Sequence, residues 1–193
     1  MIIGIDLAGN EDKPSGFAVI DNKLNTKTFL VYNDKELIKT TLENKPKLIT
    51  IDAPLGLPKG RCCLDYNCKC VKYGYTRIGE KIMLKSGIRL FPCGFAGMKK
   101  LTLRGIKLKN YFKSKGFRVI ETFPGSAQDL LNMPRKGKDH TLLQKALIKY
   151  GFKNIKKNIT DHELDAITSA LVGKLYLENN YLAFGIKEEE QII

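Results

Sequence analysis

Ile-Gly-Ile-Asp at positions 3–6 and Ile-Thr-Ile-Asp at positions 49–52 share one pattern, in which isoleucines alternate with a small residue and an aspartate closes the segment. Alternation along a strand directs Gly4 and Asp6 to one face and the isoleucines to the other. A helical pattern separates the two strands, so we expect them to be parallel. Asp6 and Asp52 would then meet at the carboxyl edge of the sheet, where open α/β sheets bind ligands.

Two carboxylates brought this close repel each other unless a cation or a shared proton compensates. Glu121 ends a third apolar strand, at 118–123, in the same sense and is a further candidate. All-oxygen ligands suit Mg²⁺ or Mn²⁺ rather than zinc. Each acid could instead simply cap the turn or helix that follows it. The matched pair, Asp6 and Asp52, together with a third acid favours the metal site.

A late helix begins near Thr160 and carries further candidates. Asp161 and Asp165 are four residues apart and His162 and Asp165 are three apart, so either pair shares a helix face. Thr160 and Glu163 fit a capping box, and acids in a first turn complement the helix dipole. Capping explains Asp161 and Glu163, but it explains Asp165 less well because Asp165 lies one turn deeper.

The rest of the pattern predicts one α/β domain over residues 1–193. Strands at 2–7, 16–20 and 28–32 form an antiparallel meander, and helices are expected at 34–42, 99–115, 141–150 and from 160 onward. Residues 54–98 lose periodicity, apart from a short helix near 80–85, so we expect an insertion or lid there. The tail at 181–193 can add a small hairpin.

The net charge of +13 and a pI near 9.5 favour a polyanionic partner, and nucleic acid is the natural class. A lysine-rich surface also arises without any ligand. The densest basic stretch could grip a phosphate backbone or be a solvated helix face; its candidate contacts are Lys99, Lys100, Arg104 and Lys107. The sequence has no 20-residue apolar run and no basic leader at its start, so we expect a cytoplasmic protein without a membrane partner.

Four cysteines, Cys62, Cys63, Cys68 and Cys70, fall within nine positions, and Cys93 is the fifth. Four thiolates suffice in number for a tetrahedral zinc site. Structural zinc sites usually space their ligands as C-x₂₋₄-C, whereas adjacent cysteines and C-x-C strain that geometry. The spacing therefore favours free thiols over zinc.

Together these motifs carry a resemblance that spans most of the chain. Ile3-Gly-Ile-Asp6, the second acidic strand end and Asp161-His-x-x-Asp165-Ala are similar to RuvC-type Holliday-junction resolvases of the RNase H superfamily. A closer resemblance is to an uncharacterised family of predicted nucleases with RNase H-like fold, carried by Ile51-Asp-Ala-Pro-Leu55, Cys63-x-Asp65, Phe91-Pro92, Glu121-Thr-Phe-Pro-Gly-Ser126 and Asp161-x-x-x-Asp165-Ala-Ile.

The resemblance implies a mixed five-stranded sheet in the order 3-2-1-4-5, flanked by helices, and two-metal hydrolysis of phosphodiester bonds in DNA or RNA. It implies that Asp6 bridges both ions, that Asp52 holds one and Asp165 the other, and that His162 or Asp161 assists. In such a mechanism one ion lowers the pKa of the attacking water and the other stabilises the leaving oxygen.

The sequence departs from the resolvases at two positions. Asp52 stands where they carry a glutamate, and Glu121 matches the predicted nucleases but has no resolvase counterpart. Two other functions fit the same features: a non-catalytic nucleic-acid-binding module, and a small phosphotransferase of actin-like ancestry, whose first strand also ends Gly-Ile-Asp. Such kinases need a second domain, which 193 residues can hardly supply. Nothing in the sequence indicates the oligomeric state.

Overall fold

A computed structural model describes residues 1–135 and 139–193 of the chain. A mixed sheet lies at its centre, made of β1 (Ile2–Asp6), β2 (Ser15–Ile20), β3 (Thr26–Val31), β4 (Leu48–Asp52) and β5 (Val119–Glu121). The strand order is β3-β2-β1-β4-β5. β1, β4 and β5 are parallel, whereas β2 pairs antiparallel with both β1 and β3. The α/β class and the strand order are therefore confirmed.

The helices of the described ranges are α1 (Asp34–Asn44), α2 (Ile78–Lys85), α3 (Lys99–Ser114), α4 (Pro124–Leu130), α5 (Thr141–Tyr150) and α6 (Asp161–Leu177). α3 and α5 begin and end close to their predicted bounds, and α6 begins one residue after its predicted start. α4 was not among the predicted helices, because its seven residues are too few to show a 3.6-residue period. No helix in these ranges is long and apolar enough to cross a bilayer.

The sheet has an apolar core on each face, because apolar residues along β1 and β4 point alternately to opposite sides. Ile2 and Leu48 pack with Leu164, Ile167 and other residues of α6 on one face. The other face packs against α1 and α3; its core includes Ile3, Ile5, Ile49, Ile51, Leu37, Leu108 and Phe112. The molecule is thus three layers, with the sheet between helices.

Two strand glycines allow α6 to lie directly on β1 and β2. A Cβ atom on Gly4 would lie 2.0 Å from the carbonyl oxygen of Ala166, and one on Gly16 would lie 1.9 Å from that of His162. Real Cβ atoms do not approach so closely, so larger residues would push the helix away. Because Gly4 and Asp6 share a sheet face, the same packing brings the start of α6 to the carboxyl edge of β1.

Residues 54–98, between β4 and α3, are mostly irregular and contain α2 and a 3-10 turn at Lys69–Tyr73. This is the irregular insertion expected after the fourth strand. The tail returns to the sheet at β5: Phe184 and Ile192 exchange two backbone hydrogen bonds, of 2.8 and 3.0 Å, and the N–H of Ile193 donates to the Glu121 carbonyl at 3.1 Å. The tail thus forms the small antiparallel bridge that the sequence allowed.

Candidate active site

Asp6 and Asp52 are register partners in the parallel ladder between β1 and β4. Both therefore end neighbouring strands at the same edge of the sheet, as the sequence predicts. Asp6 is only 9% exposed, and Asp52 is half-buried. They lie on the wall of a cleft of about 540 Å³, which opens between the sheet edge and residues 77–101.

The start of α6 brings His162 to this edge, and Asp165 lies one turn farther along the same helix. Thr160 caps the helix, and its hydroxyl and the Glu163 carboxylate satisfy each other's backbone N–H groups, which confirms the capping box. The capping box stabilises the first turn of α6, which packs against Gly16 of β2. His162 then reaches the Asp6 carboxylate, with its Nδ1 2.6 Å from Asp6 Oδ2.

Asp165 lies one turn deeper and is 5% exposed. Its Oδ1 accepts a hydrogen bond of 2.9 Å from Nε2 of Gln128, a buried residue of α4. Asp161 makes a different contact, because its Oδ1 lies 3.4 Å from Nδ1 of His140. Among the candidates of α6, His162 therefore contacts Asp6 directly, and Asp165 is held in the interior by a neutral donor.

Glu121 is bound by a buried arginine. Arg77, from the insertion, donates to both carboxylate oxygens at 2.5 and 2.7 Å, and it also pairs with Glu80 at 3.0 Å. One Glu121 oxygen additionally accepts the N–H of Leu55 at 2.7 Å, three residues after Asp52. Burial is the largest influence on Glu121 and raises its pKa, while Arg77 opposes that rise. The carboxylate thus ties the insertion and the end of β4 together.

The four basic residues predicted to contact nucleic acid differ in their exposure and in their partners. Lys99 and Lys100 begin α3; the Lys99 ammonium lies over the ring of Tyr66, 5.1 Å from its centre. Arg104 is 6% exposed, and its guanidinium is held inside by Asp34 at 2.8 Å and by backbone carbonyls. Lys107 also reaches Asp34, at 3.1 Å, but stays exposed. The apolar periodicity of α3 predicts the helix. It does not predict that the Arg104 side chain points inward to Asp34 of α1.

Three residues outside the predicted set of site residues, Arg89, Arg135 and Gln128, also line or support the cleft. Arg89 is exposed on the cleft wall, and Arg135 also lines the cleft, with its guanidinium paired to Asp129 at 2.5 Å. Gln128 supports Asp165 from α4, as described above. All three come from irregular or very short elements, so no periodicity could have identified them. Phe91, which the resemblance includes, lines the same cleft and is 66% exposed.

The cysteines of the insertion lie together in space. The sulfurs of Cys62 and Cys68 are 3.6 Å apart and those of Cys63 and Cys70 are 3.8 Å apart. All four sulfurs lie within 4.8 Å of one another, and none is in a disulfide. Among the residues that the structure describes, these four cysteines form the one set of three or more possible metal ligands whose ligating atoms lie close enough together to hold one ion.

The acids at the sheet edge offer a different donor set, made of carboxylate oxygens and one imidazole. Asp6 and Asp52 are adjacent in the ladder, and burial of Asp6 makes compensation of its charge favourable. His162 supplies a donor to Asp6, and Gln128 supplies one to Asp165. Hard oxygen donors of this kind fit Mg²⁺ or Mn²⁺.

No protein-family model matches the sequence, and no curated protein does. Two of the similar solved structures match over 98% of this chain and 98% of their own. One is Thermus thermophilus RuvC in complex with a Holliday junction substrate, at 11% identity and a TM-score of 0.52. The other is a Thermus thermophilus RuvC structure, at 12% identity and a TM-score of 0.46. The chain has the RNase H-like fold that is found in RuvC.

Proposed function

We propose that this protein is a nuclease that hydrolyses phosphodiester bonds of DNA or RNA with the help of divalent cations. The observation that carries the proposal is the register of β1 and β4, which pairs Asp6 with Asp52 at the carboxyl edge of the sheet. The start of α6 adds His162, which contacts Asp6, and in our proposal it also adds Asp165, one helical turn farther along. RuvC, whose fold is similar, has been seen in complex with a Holliday junction substrate.

In this proposal Asp6, Asp52 and Asp165 would hold two Mg²⁺ or Mn²⁺ ions. When bound, the ions would lower the pKa of the attacking water and stabilise the leaving oxygen of an in-line displacement. His162 would orient the Asp6 carboxylate through their hydrogen bond; with its side chain 47% exposed, it can also exchange a proton with solvent. Gln128 would fix the Asp165 carboxylate from the opposite side.

We assign Glu121 and Asp161 supporting roles. Glu121 is engaged by Arg77 and by the Leu55 N–H, so it would position the end of β4 rather than ligate an ion. Asp161 occupies the first helical position of α6, where a negative charge complements the helix dipole. Under this proposal His162, rather than Glu121 or Asp161, completes the site.

The cleft has the chemistry of a nucleic-acid site. Arg89 and Arg135 on its wall would contact phosphates, because arginine suits bidentate recognition of phosphate oxygens. Phe91 presents an exposed ring in the same cleft, and stacking on a base contributes about 1–3 kcal/mol. Lys99 and Lys100 would extend the basic surface, and the net charge of +13 would draw any polyanion toward it.

A non-catalytic nucleic-acid-binding module is the second candidate function. The observation in its favour is that Asp6 and Asp165 each have a protein hydrogen-bond partner, His162 for Asp6 and Gln128 for Asp165. Such a module would bind nucleic acid with a strong salt dependence. Its binding would survive Asp6→Asn, and it would cleave no substrate in any metal.

A cleavage panel separates the two functions. Four-way junctions, flaps, bulges and single strands of DNA and RNA are each incubated with Mg²⁺, with Mn²⁺ and with chelator. The nuclease proposal predicts cleavage of at least one substrate that requires metal and that Asp52→Asn abolishes. Salt-sensitive binding without cleavage of any substrate in either metal would instead establish the binding module.

A further inference from the structure

The cysteine-bearing loop of the insertion has the geometry of a metal site. In a tetrahedral site with Zn–S bonds of about 2.3 Å, neighbouring sulfurs lie about 3.8 Å apart. The Cys62–Cys68 and Cys63–Cys70 separations, 3.6 and 3.8 Å, match this edge. The remaining pairs stay within 4.8 Å, so all four sulfurs are close enough together to ligate one ion.

We propose that Cys62, Cys63, Cys68 and Cys70 bind one structural zinc ion. Soft thiolates in a tetrahedral set select zinc or iron. A multi-iron cluster holds its thiolates farther apart than a single ion does, and the separations found here are those of a single ion. Two disulfides would need two bonded pairs near 2.05 Å, and they would not require all four sulfurs to converge.

The charge around the loop suits such a site. Four thiolates and one Zn²⁺ carry a net charge of −2, which a neighbouring cation stabilises. Arg61, directly before the first cysteine, is buried, and its guanidinium donates to the carbonyls of Cys63 at 2.8 Å and Asp65 at 3.2 Å. It thereby closes the loop and brings a positive charge beside Cys63.

The spacing of these cysteines, C-C-x₄-C-x-C, argued against zinc because adjacent cysteines and C-x-C strain tetrahedral geometry. The loop here is irregular between Arg61 and the 3-10 turn, so its backbone can direct both members of each close pair inward. The buried apolar side chains of this loop are Leu64 and Cys70. Their burial contributes little to offset the conformational entropy lost when an irregular segment is ordered. A bound ion would hold this irregular loop, which precedes Arg77 in the chain, in one conformation.

The test measures metal in the full chain purified under reducing conditions. We expect one zinc per chain by elemental analysis, and release of that zinc when a mercurial titrates the thiols. Replacement by Co²⁺ should give the visible bands of a tetrahedral thiolate site. Cys63→Ser should weaken zinc affinity by more than about a hundredfold, beyond what changes outside the ligand shell achieve.

Cys93→Ser is the matched control, because Cys93 is a buried thiol of the same insertion outside the cluster. It should retain full zinc. Cys62→Ser, at the exposed ligand, tests the site where Cys63→Ser fails to fold. A strong zinc chelator should lower the Tm of the wild type but not that of Cys62→Ser. Reduced protein that binds neither zinc nor Co²⁺, protein that holds iron, or two mapped disulfides would each overturn the proposal.

Discussion

Replacing Arg77 with methionine tests the interior ion network that joins the insertion to the sheet. Arg77 is 1% exposed, and it pairs with Glu121 at 2.5 Å and with Glu80 at 3.0 Å. Removing one partner of a buried pair costs about 3–5 kcal/mol, because the remaining charge is left uncompensated. Two carboxylates lose their partner here, so we expect the upper part of that range.

The magnitude is large compared with the total stability of a domain, which is about 5–15 kcal/mol. For a chain of this size, each kcal/mol lowers the Tm by about 2–4 °C, so the Arg77→Met protein should melt about 8–20 °C lower. Urea unfolding followed by circular dichroism gives the free energy directly. Arg118→Met, at an exposed arginine, is the control and should change stability by less than about 1 kcal/mol.

The pH dependence of the same variant checks the cause. Without Arg77, burial should hold the pKa of Glu121 still higher, so the folded state takes up a proton more readily than the unfolded state. The deficit in stability is then greatest above that raised pKa and shrinks as the pH falls through it. Arg77→Met/Glu121→Gln should recover part of the loss at neutral pH. A loss no larger than that of Arg118→Met, or one independent of pH, would refute the reasoning.

Three further predictions follow from the contacts of α6, α1 and α3. Gly4→Ala should destabilise the fold by about 3 kcal/mol in urea, since its Cβ would overlap the Ala166 backbone, whereas Gly97→Ala, whose Cβ would meet only the Phe95 ring at an ordinary contact distance of 3.4 Å, should be nearly neutral. Burial raises the pKa of Asp34, but hydrogen bonds from basic partners outweigh it and lower that pKa. Asp34→Asn should therefore cost on the order of 3 kcal/mol at neutral pH, and the gap to the wild type should close as the pH falls through the lowered pKa; a gap constant with pH would contradict this. Replacing the Lys99–Lys100 pair with alanines should reduce the salt slope of nucleic-acid binding by about 1–2, while Lys39→Ala, at an exposed position of α1, should leave the slope unchanged.

The sheet could be predicted because its strands are apolar and regular. The alternating isoleucines of β1 and β4 indicated both the strands and the face of each aspartate, and the register confirms that Asp6 and Asp52 are neighbours. The capping box at Thr160 likewise placed the start of α6. These signals are local, so a single sequence contains them.

The contacts of the insertion could not be predicted, because they join distant, irregular segments. The pairing of Arg77 with Glu121 spans 44 residues, and no periodicity links the two. The inward turn of Arg104 to Asp34 is of the same kind. The glycines at positions 4 and 16 were a usable signal: small residues on the strand face that carries Asp6 indicate that a helix lies close against it.

The most direct test of the proposed function compares Asp6→Asn with Asp161→Asn on the best substrate of the cleavage panel. Single-turnover rates are measured in saturating Mg²⁺ or Mn²⁺, with unfolding curves to verify that both variants are folded. The proposal predicts that Asp6→Asn slows cleavage by more than about a hundredfold, because a direct ligand is lost, while Asp161→Asn stays within a few fold of the wild type. Equal rates for wild type and Asp6→Asn would contradict an active site built on the paired ends of β1 and β4.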